Sequence, residues 1–248
     1  MGFLKNIFTK QQALPPANLG VLRADMHSHL IPGIDDGAQT IENSILLIRE
    51  LHKLGYKKLI TTPHIMSDHY KNTPEIILSG LEKVKKALKE ENIPMEMEAA
   101  AEYYFDFDFE QKVDKQDLLT FGDNYVLFEL SMINEPDFLN RIVFKLKTTG
   151  YRPVLAHVER YPYWYDKKEQ YEKLVDLGLL LQLNINSLAG QYSPRTRRVA
   201  QNLVDRNMID FLGTDCHNMD YVTVLKKCLT DHHLHKALAS GKLLNAGL

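Results

Sequence analysis

The sequence has little cysteine, no long apolar run and no marked excess of charge. It contains two cysteines in 248 residues, too few for the disulfide framework of a small secreted domain. No apolar stretch approaches the ~20 residues that span a bilayer, and residues 1–10 lack the apolar region and cleavage site of a secretory signal. A net charge of −2 gives no reason to expect nucleic acid. We therefore expect a cytoplasmic protein with no nucleic-acid partner and no stable membrane insertion.

The chain has enough apolar residues for one large core. It is 44% hydrophobic, and α/β barrels of this length commonly form one domain. We predict an N-terminal tail over residues 1–18 and a single domain over residues 19–248. The alternative for the tail is an amphipathic segment that binds a membrane or a partner. Oligomeric state is left open.

Apolar, strand-like runs alternate with segments of helical period. Seven runs are typical of strands: 21–26, 58–62, 95–101, 125–130, 153–156, 179–184 and 209–213. Helical patterns occupy 41–54, a segment from about 73, 138–147, 170–177, 196–206 and 222–238, whereas 104–121 is predicted to be an elaborated loop. Repeated strand-then-helix order indicates an α/β fold with parallel strands and right-handed crossovers. Seven such units predict a barrel with helices outside; an open doubly wound sheet is the alternative.

Metal-binding side chains follow six of the seven predicted strands. His27-Ser28-His29 ends the first, and Asp215-Cys216-His217 follows the last. Side chains at i and i+2 of a strand point the same way, so each pair can bind one ion or adjacent ions. The strands between end at His64, Glu102, Glu129 and His157. Carboxyl ends of parallel barrel strands share one face, which predicts one pocket at that face. Such mixed histidine and carboxylate sets suit Mn²⁺, Zn²⁺ or Fe, and their number implies two or three ions.

Each of these residues also has a structural explanation. A lone histidine at a strand end is more often a hydrogen-bonded packing residue. Glu129 is the stronger signal, because it lies in an apolar run and a buried carboxylate is costly unless a cation or donor meets it. Asp35 and Asp36 lie in a loop just after the first pair and can add a carboxylate. For Asp35 we favour a turn or helix cap. We expect Cys216 to point into the core.

A series of motifs gives a specific resemblance. The motifs are Asp25-Met26-His27-Ser28-His29, Pro32-Gly33-Ile34-Asp35-Asp36-Gly37, Thr61-Thr62-Pro63-His64, Ala101-Glu102-Tyr103-Tyr104, Phe128-Glu129-Leu130-Ser131, Ala156-His157-Val158-Glu159-Arg160-Tyr161 and Thr214-Asp215-Cys216-His217-Asn218. In this order they resemble the polymerase-and-histidinol-phosphatase (PHP) superfamily and, within it, the bacterial protein-tyrosine phosphatases of the CpsB/CapC type. The resemblance runs from residue 25 to residue 218.

The resemblance implies a distorted (βα)₇, TIM-like barrel that holds three divalent metal ions, commonly manganese. It implies a phosphomonoesterase that acts on phosphotyrosine in a protein, with a tyrosine autokinase of capsule or exopolysaccharide synthesis as the partner. Three ligand sets are implied, with Glu102 shared: His27, His29, Glu102 and Asp215; Glu102, Glu129 and His157; and Asp36, His64 and His217. Asp36 is thereby preferred over Asp35.

A mechanism follows as a hypothesis. A hydroxide shared by two ions attacks phosphorus in line, and Arg160 and the third ion hold the phosphoryl oxygens. Glu102 and Asp215 are the catalytic carboxylates of this scheme. Arg160 can alternatively form an ion pair with Glu159. The sequence contains no Cys-x5-Arg motif, which disfavours a phosphocysteine route.

Substrate-binding residues are less well defined by the sequence. Relatives often have a second arginine soon after the Asp-x-His-Asn motif, but Met219 follows it here. Arg195 and Arg197, at a predicted helix start, are candidates for that role, or else a solvated basic turn. Tyr161 and the aromatic residues after it predict either a rim that receives tyrosine or packing under the loop.

Three other functions remain open on the sequence alone. A histidinol-phosphate or other small-molecule phosphoesterase of the same superfamily would use the same ions. A non-catalytic, metal-bound partner of a kinase is a further alternative, and the complete ligand set argues against it. An amidohydrolase barrel fits poorly, because it usually needs a bridging group after its fourth strand and two later histidines.

Overall fold

A computed structural model describes residues 14–248 of the chain. Its strands are β1 (Ala24–Asp25), β2 (Lys58–Thr61), β3 (His64–Ile65), β4 (Glu96–Ala99), β5 (Glu102–Tyr104), β6 (Tyr125–Glu129), β7 (Arg152–Leu155), β8 (Leu180–Asn184) and β9 (Phe211–Gly213). Its helices are α1 (Ile41–Lys53), α2 (Pro74–Glu90), α3 (Phe107–Lys115), α4 (Leu139–Thr148), α5 (Lys168–Leu177), α6 (Pro194–Asp205), α7 (Met219–Cys228) and α8 (His232–Leu238).

All pairings between these strands are parallel, and nine segments occupy seven positions. One sheet has the order β1-β2-β4 and the other β3-β5-β6-β7-β8-β9. β2 continues into β3 after a break at Thr62 and Pro63, where proline offers no N–H to the ladder. β4 continues into β5 after a similar break. A parallel bridge between Ser28 and Cys216 joins the last position to the first. The ring is therefore closed as a distorted (βα)₇ barrel, as predicted.

The helices begin at capping residues that the sequence supplies. The Thr40 side chain accepts a hydrogen bond from Asn43 N at the start of α1. Thr73 does the same for Ile76 N in α2, with Pro74 in the first turn. These caps satisfy backbone donors that the helix itself leaves free. The apolar faces that follow, such as that of α2, join one large cluster of buried side chains.

A smaller apolar cluster lies beneath the strand ends. It includes Ala100, Leu127 and Phe211. Leu127 precedes Glu129 by two residues, and Ala100 precedes Glu102 by two, so each apolar residue shares a face with the polar residue beyond it. The polar strand ends thus stand on an apolar floor that excludes water from below.

Three predicted elements are wrong in detail. Of the predicted strand 21–26, only Ala24–Asp25 is extended, since Leu19–Leu22 forms a 3₁₀ helix. The predicted loop 104–121 contains α3, which begins where the Asp106 side chain accepts from Phe109 N. The predicted helix 222–238 is two helices, and Asp231 caps the second of them. In the last two cases a capping aspartate, not the apolar pattern, sets the boundary.

The predicted tail lies mostly outside the described residues, which begin at residue 14. Within the described part, Ala17 N donates to Leu229 O at 2.7 Å, and the Asn18 side chain accepts from Gly20 N. The division into tail and single domain stays a prediction. Among residues 14–248, none of the helices combines the length and apolar character needed to cross a membrane.

Candidate metal centre

The nine predicted ligands come together at the carboxyl ends of the strands. Donor atoms of eight of them form three groups, and within each group these atoms lie within 4.8 Å of one another. The groups are His27, His29 and Asp215; His64, Glu102 and Glu129; and His29, Asp36, His64 and His217. His157 is adjacent, because its Nε2 lies 3.0 Å from Glu102 Oε1 and 3.5 Å from Glu129 Oε2.

The most deeply buried group has the spacing of a metal-ligand set. His27 Nε2 lies 3.2 Å from Glu102 Oε2 and 3.4 Å from Asp215 Oδ1. His29 Nε2 lies 3.5 Å and 3.4 Å from the same two oxygens. Ligands bound at 2.0–2.1 Å to a tetrahedral ion are about 3.3–3.4 Å apart. His27 Nε2, His29 Nε2 and Asp215 Oδ1, which are all 3.4 Å apart, therefore fit the spacing around one divalent ion, and Glu102 Oε2 lies beside both histidines of this group.

Glu102 and His64 each face two groups. Glu102 Oε1 faces His157, whereas Glu102 Oε2 faces His27 and His64 Nδ1. His64 Nδ1 also lies 3.3 Å from Glu129 Oε1. Its other nitrogen, Nε2, lies 3.5 Å from Asp36 Oδ1, which is 3.4 Å from His217 Nε2. The position of Glu102 suits a bridging ligand.

Two buried polar atoms at the centre of this cluster lack hydrogen bonds. Glu102 Oε2 and His64 Nδ1 have no hydrogen-bond partner within residues 14–248. Buried polar atoms without a partner are costly and uncommon. A cation between them would satisfy both, so the residues present fit a metal.

The charges of the cluster also suit cations. Burial opposes ionisation of Glu102, yet His27 and His64 hold the pKa of that carboxyl well below its usual range. A hydrogen bond with His217 lowers the pKa of Asp36 to about 2. Both carboxylates are therefore charged at neutral pH and available as ligands.

Backbone geometry turns several of these residues inward. His157 has φ 33° and Asp215 has φ 50°, a left-handed conformation that residues other than glycine rarely adopt and that is concentrated at functional sites. Gly37 lets the loop after β1 press against His29, since a Cβ there would lie 2.2 Å from His29 O. The same loop places Asp35 Oδ2 2.8 Å from His29 Nδ1, while Asp35 Oδ1 accepts from Gly37 N as the turn expectation requires.

Comparison with known proteins agrees with this geometry. A family model described as capsular polysaccharide synthesis, CpsB/CapC, matches residues 23–237. The chain belongs to the CpsB/CapC family. All nine candidate ligands lie within the matched residues.

Individual relatives support the same assignment. Tyrosine-protein phosphatase YwqE of Bacillus subtilis (strain 168) is 31% identical over 196 residues, which cover 79% of this chain and 77% of that protein. A similar fold occurs in the crystal structures of YwqE from Bacillus subtilis and CpsB from Streptococcus pneumoniae, which are described as metal-dependent tyrosine phosphatases. The matching chain has a TM-score of 0.75 at 29% identity, and the match covers 86% of this chain and 84% of that one. Histidinol phosphate phosphatase from Lactococcus lactis, solved with zinc, L-histidinol and phosphate, has a TM-score of 0.51 at 15% identity, covers 83% of this chain and 93% of that one, and shares the fold.

In this CpsB/CapC chain, Arg160 lies at the edge of the ligand cluster. Its Nη1 is 3.2 Å from Asp215 Oδ2, and its guanidinium lies over the Tyr192 ring at 4.3 Å. Glu159 is engaged elsewhere, by Ser187 Oγ and Asn184 N. The alternative of a Glu159–Arg160 ion pair is therefore wrong. Arg160 and most of the ligands line one cavity of about 390 Å³.

The two other predicted arginines lie elsewhere. Arg195 pairs with Asp166 and borders a separate cleft between α5 and α6. Arg197 Nη2 lies 3.6 Å from Asp231 Oδ2. Neither lines the cavity at the ligand cluster, so the structure contradicts their predicted contact with the reacting phosphate. The predicted helix does begin here, at Pro194, but the side chains of Arg195 and Arg197 bond to Asp166 and Asp231 instead.

The prediction of Tyr161 as a substrate-binding residue is also wrong. Its side chain is fully buried, and its hydroxyl accepts from Leu130 N at 3.0 Å and donates to Ala156 O at 3.1 Å. Tyr163 Oη similarly donates to Ser131 O. Because backbone groups occupy the polar ends of these rings, the aromatic segment packs under the loop.

The residues that do line the cavity beside the ligands were missed. They include Met66, Tyr70, Met132 and Tyr221, and His69 lines the same cavity. Nothing in their local pattern distinguishes them from other residues of loops and helix starts. Gln182 and Asn184 were also missed, although two amides at i and i+2 in the apolar run 179–184 do indicate an inward polar face.

Proposed function

We propose that this chain is a metal-dependent phosphomonoesterase that removes phosphate from tyrosine residues of proteins. One observation carries the proposal: five imidazoles and four carboxylates form one cluster, and seven of these nine side chains line a single cavity together with Arg160. The related proteins named tyrosine-protein phosphatase, and the solved structures described as metal-dependent, support the same reaction.

We propose three divalent ions, with Mn²⁺ the first candidate and Zn²⁺ or Fe also compatible with the donors. The first would be held by His27, His29, Glu102 and Asp215, the second by Glu102, Glu129 and His157, and the third by Asp36, His64 and His217. Bound ions of this kind supply a nucleophilic hydroxide at neutral pH and positive charge around a phosphoryl group. His64 has two ring nitrogens, and the second of them could also bind the second ion, since His64 Nδ1 lies 3.2 Å from Glu102 Oε2.

The protein's own contribution to phosphate binding would come from Arg160. Its guanidinium is held by Asp215 on one side and by the Tyr192 ring on another, so its orientation is set before substrate binds. A planar guanidinium suits two phosphoryl oxygens at once. Glu102 and Asp215 would hold the metal ions in place while the phosphoryl group passes from tyrosine to water.

Neither cysteine suits a thiol mechanism. Cys216 and Cys228 are both buried, and burial raises the pKa of Cys228 to about 12. A thiol in such surroundings is not a nucleophile at neutral pH. This agrees with a route that forms no phosphocysteine.

The wall of the cavity supports an aromatic substrate. The Tyr70 ring stacks on His64, with centroids 5.4 Å apart and planes at 14°, and a hydrogen bond from Met66 N to Tyr70 O closes the turn that places it there. Met132 lines the same cavity. Aromatic and thioether groups make favourable contacts with an aryl ring. We propose that these residues receive the phenyl ring of phosphotyrosine.

The family description, capsular polysaccharide synthesis, supports a substrate protein in that process. We propose a bacterial tyrosine autokinase as that protein. The expected cytoplasmic location stays a prediction.

The test is hydrolysis by metal-free protein reloaded with Mn²⁺, Zn²⁺ or Fe²⁺. Phosphotyrosyl peptide, phosphoseryl peptide and histidinol phosphate are compared at equal concentration, with metal content measured on the same samples. We expect metal-dependent release of phosphate from the phosphotyrosyl peptide above the other two. Preference for histidinol phosphate would favour the small-molecule alternative, and metal binding without hydrolysis would favour a non-catalytic partner.

Substitution of Arg160 tests its assignment. We expect Arg160→Ala to lower kcat/KM for phosphotyrosyl peptide by about 100-fold and to leave metal content unchanged, because no proposed ligand is removed. Arg195→Ala is the matched control, since Arg195 borders the separate cleft, and it should behave like the wild type. Equal activity of the two variants would remove Arg160 from the mechanism.

A further inference from the structure

β8 differs from the other strand positions of the barrel described here, because no candidate ligand lies at its end. It carries instead Gln182 and Asn184, both fully buried and on the same face of the strand. We propose that these two amides are positioning residues, which hold His27 and Asp215 in a metal-binding arrangement. The inference rests on the proposed metal-dependent function and adds residues that neither the ligand set nor the substrate wall contains.

Hydrogen bonds fix the orientation of Gln182. Its Oε1 lies 2.8 Å from His157 N, and a backbone N–H can only donate, so the facing atom is the oxygen. The same oxygen lies 3.0 Å from His27 Nδ1. His27 must therefore donate through Nδ1, which leaves Nε2 of the neutral ring free to bind a metal. That Nε2 is the atom that faces Glu102 and Asp215.

The orientation of Asn184 follows from both of its ends. Gln182 Nε2 donates to Asn184 Oδ1 at 2.9 Å, so Asn184 Nδ2 lies on the other side, 2.7 Å from Asp215 Oδ2. A carboxylate can only accept, which requires the same orientation independently. Asp215 Oδ2 is thereby occupied, and Asp215 Oδ1 is left facing His27 and His29 at 3.4 Å.

A continuous chain of bonds thus links two ligands through neutral groups. It runs from His27 to Gln182, Asn184 and Asp215. Neutral amides suit this position, since a further carboxylate would add repulsion beside Asp215 and a lysine or arginine would repel an incoming cation. Partners of this kind set the tautomer and direction of metal ligands.

The neighbouring strand leaves space for this chain. Gly213 in β9 pairs in register with Asn184. A Cβ at Gly213 would lie 2.7 Å from Gln182 Nε2 and 2.8 Å from the His27 Cβ. Gln182 and His27 approach Gly213 so closely that no side chain fits at this position. Both β8 and β9 therefore accommodate the hydrogen bond between Gln182 and His27.

The experiment measures metal affinity without substrate. Metal-free wild type, Gln182→Leu and Asn184→Leu are titrated with Mn²⁺ and with Zn²⁺ against a chelator of known affinity. We expect each substitution to weaken the tightest site by about 10–100-fold, with the wild-type number of ions at saturation. In the metal-free protein, at a pH high enough for the His27 ring to be neutral, long-range ¹H–¹⁵N spectra should show the His27 proton on Nδ1 in the wild type and a mixture of tautomers in Gln182→Leu.

Asn245→Leu is the matched control. Asn245 is also fully buried, but within residues 14–248 its amide bonds to the backbone of Ala24 and Leu212 and to no candidate ligand. This substitution should lower Tm and leave metal affinity unchanged. The contrast separates loss of positioning from general loss of stability.

Conservative variants decide the matter if the leucine variants fail to fold. Gln182→Glu keeps both accepted hydrogen bonds but loses the donor to Asn184 and adds a negative charge, and Asn184→Asp loses its donor to Asp215. Each should weaken binding at least tenfold, to about the extent seen when a ligand's support is lost. Wild-type affinity in folded Gln182→Leu and Asn184→Leu, or in Asn184→Asp, would overturn the inference. Failure of the wild type itself to bind divalent ions would instead overturn the proposed function.

Discussion

The candidate metal centre has a closed side and an open side. On the closed side, the side chains of His27, Glu102 and Asp215 are 0–2% exposed. On the open side, the Asp36 side chain is 54% exposed. The closed ligands stand at strand ends over an apolar floor, whereas Asp36 lies on the loop after β1. Similar donor atoms should therefore bind ions tightly on one side and exchangeably on the other, because burial and fixed geometry strengthen electrostatic binding.

The largest expected effect comes from the residue that joins the two sides. We predict that Glu102→Gln lowers turnover of phosphotyrosyl peptide by more than about 100-fold, beyond what loss of a supporting residue costs, and releases more than one ion. The reason is that both Glu102 oxygens face histidine donors of the cluster. Metal analysis and steady-state kinetics of the same preparation measure it.

Glu110→Gln is the control for that substitution, since Glu110 pairs with Arg141 and Lys145 on the outside of the barrel. It should keep wild-type turnover and metal content. Loss of a single ion in Glu102→Gln would show that Glu102 does not bridge.

A smaller effect is expected on the open side. We predict that Asp36→Asn loses one ion and about tenfold in turnover at micromolar Mn²⁺, and that millimolar Mn²⁺ restores most of the activity because His64 and His217 remain as ligands. Asp68→Asn, an exposed aspartate in the loop after β3, serves as control. An irreversible loss of all metal from Asp36→Asn would contradict the distinction between the two sides.

The smallest effect is a pH dependence that should differ between the sides. Burial and Arg160 favour the neutral ring of His157, but hydrogen bonds to Glu102 and Glu129 raise the pKa of His157 to about 9. In the metal-free protein this ring is protonated at pH 7, and a metal must displace the proton. Affinity of the closed side should therefore rise by about tenfold per pH unit for each displaced proton, up to about pH 9.

Asp36, on the open side, should not contribute to this pH dependence. Its pKa is lowered to about 2, so its carboxylate is charged at every pH between about 6 and 9. Binding on the open side should depend less steeply on pH. Titration of metal-free protein at pH 6, 7 and 8, in buffers of different ionisation enthalpy, measures the protons released by each ion. Equal proton release by tight and weak ions would contradict the prediction.

The barrel and its ligand cluster were predictable because both depend on strand register. Alternation fixes the direction of His27 and His29 once the first strand is placed, and parallel order brings Glu129 and His157 to the same end. Pro63 could be recognised in the sequence as a residue without an N–H for the strand ladder. Whether it divides the strand into β2 and β3 depends on the pairing with the neighbouring strand, which the sequence does not give.

The substrate side was not predictable in the same way. The direction of a loop depends on what it packs against, so the sequence does not distinguish Tyr161, which lies in the core, from Tyr70, which lines the cavity. Arg195 shows the same limit, since a helix start favours anions whichever way it faces. Gln182 and Asn184 required the positions of His27 and Asp215 before their role was evident.

The bridge between Ser28 and Cys216 has a consequence for the order of assembly. It forms the seam where the beginning and end of the barrel meet, and His29 N donates to Cys216 O across it, while Asp215 N donates to His27 O. Four proposed ligands flank this seam, from parts of the chain nearly two hundred residues apart. During synthesis, His27 and His29 must wait for almost the whole polypeptide to emerge before Asp215 and His217 can join them. Ion capture would then be among the last events of maturation, and a stalled or shortened nascent chain would have no tight cation site.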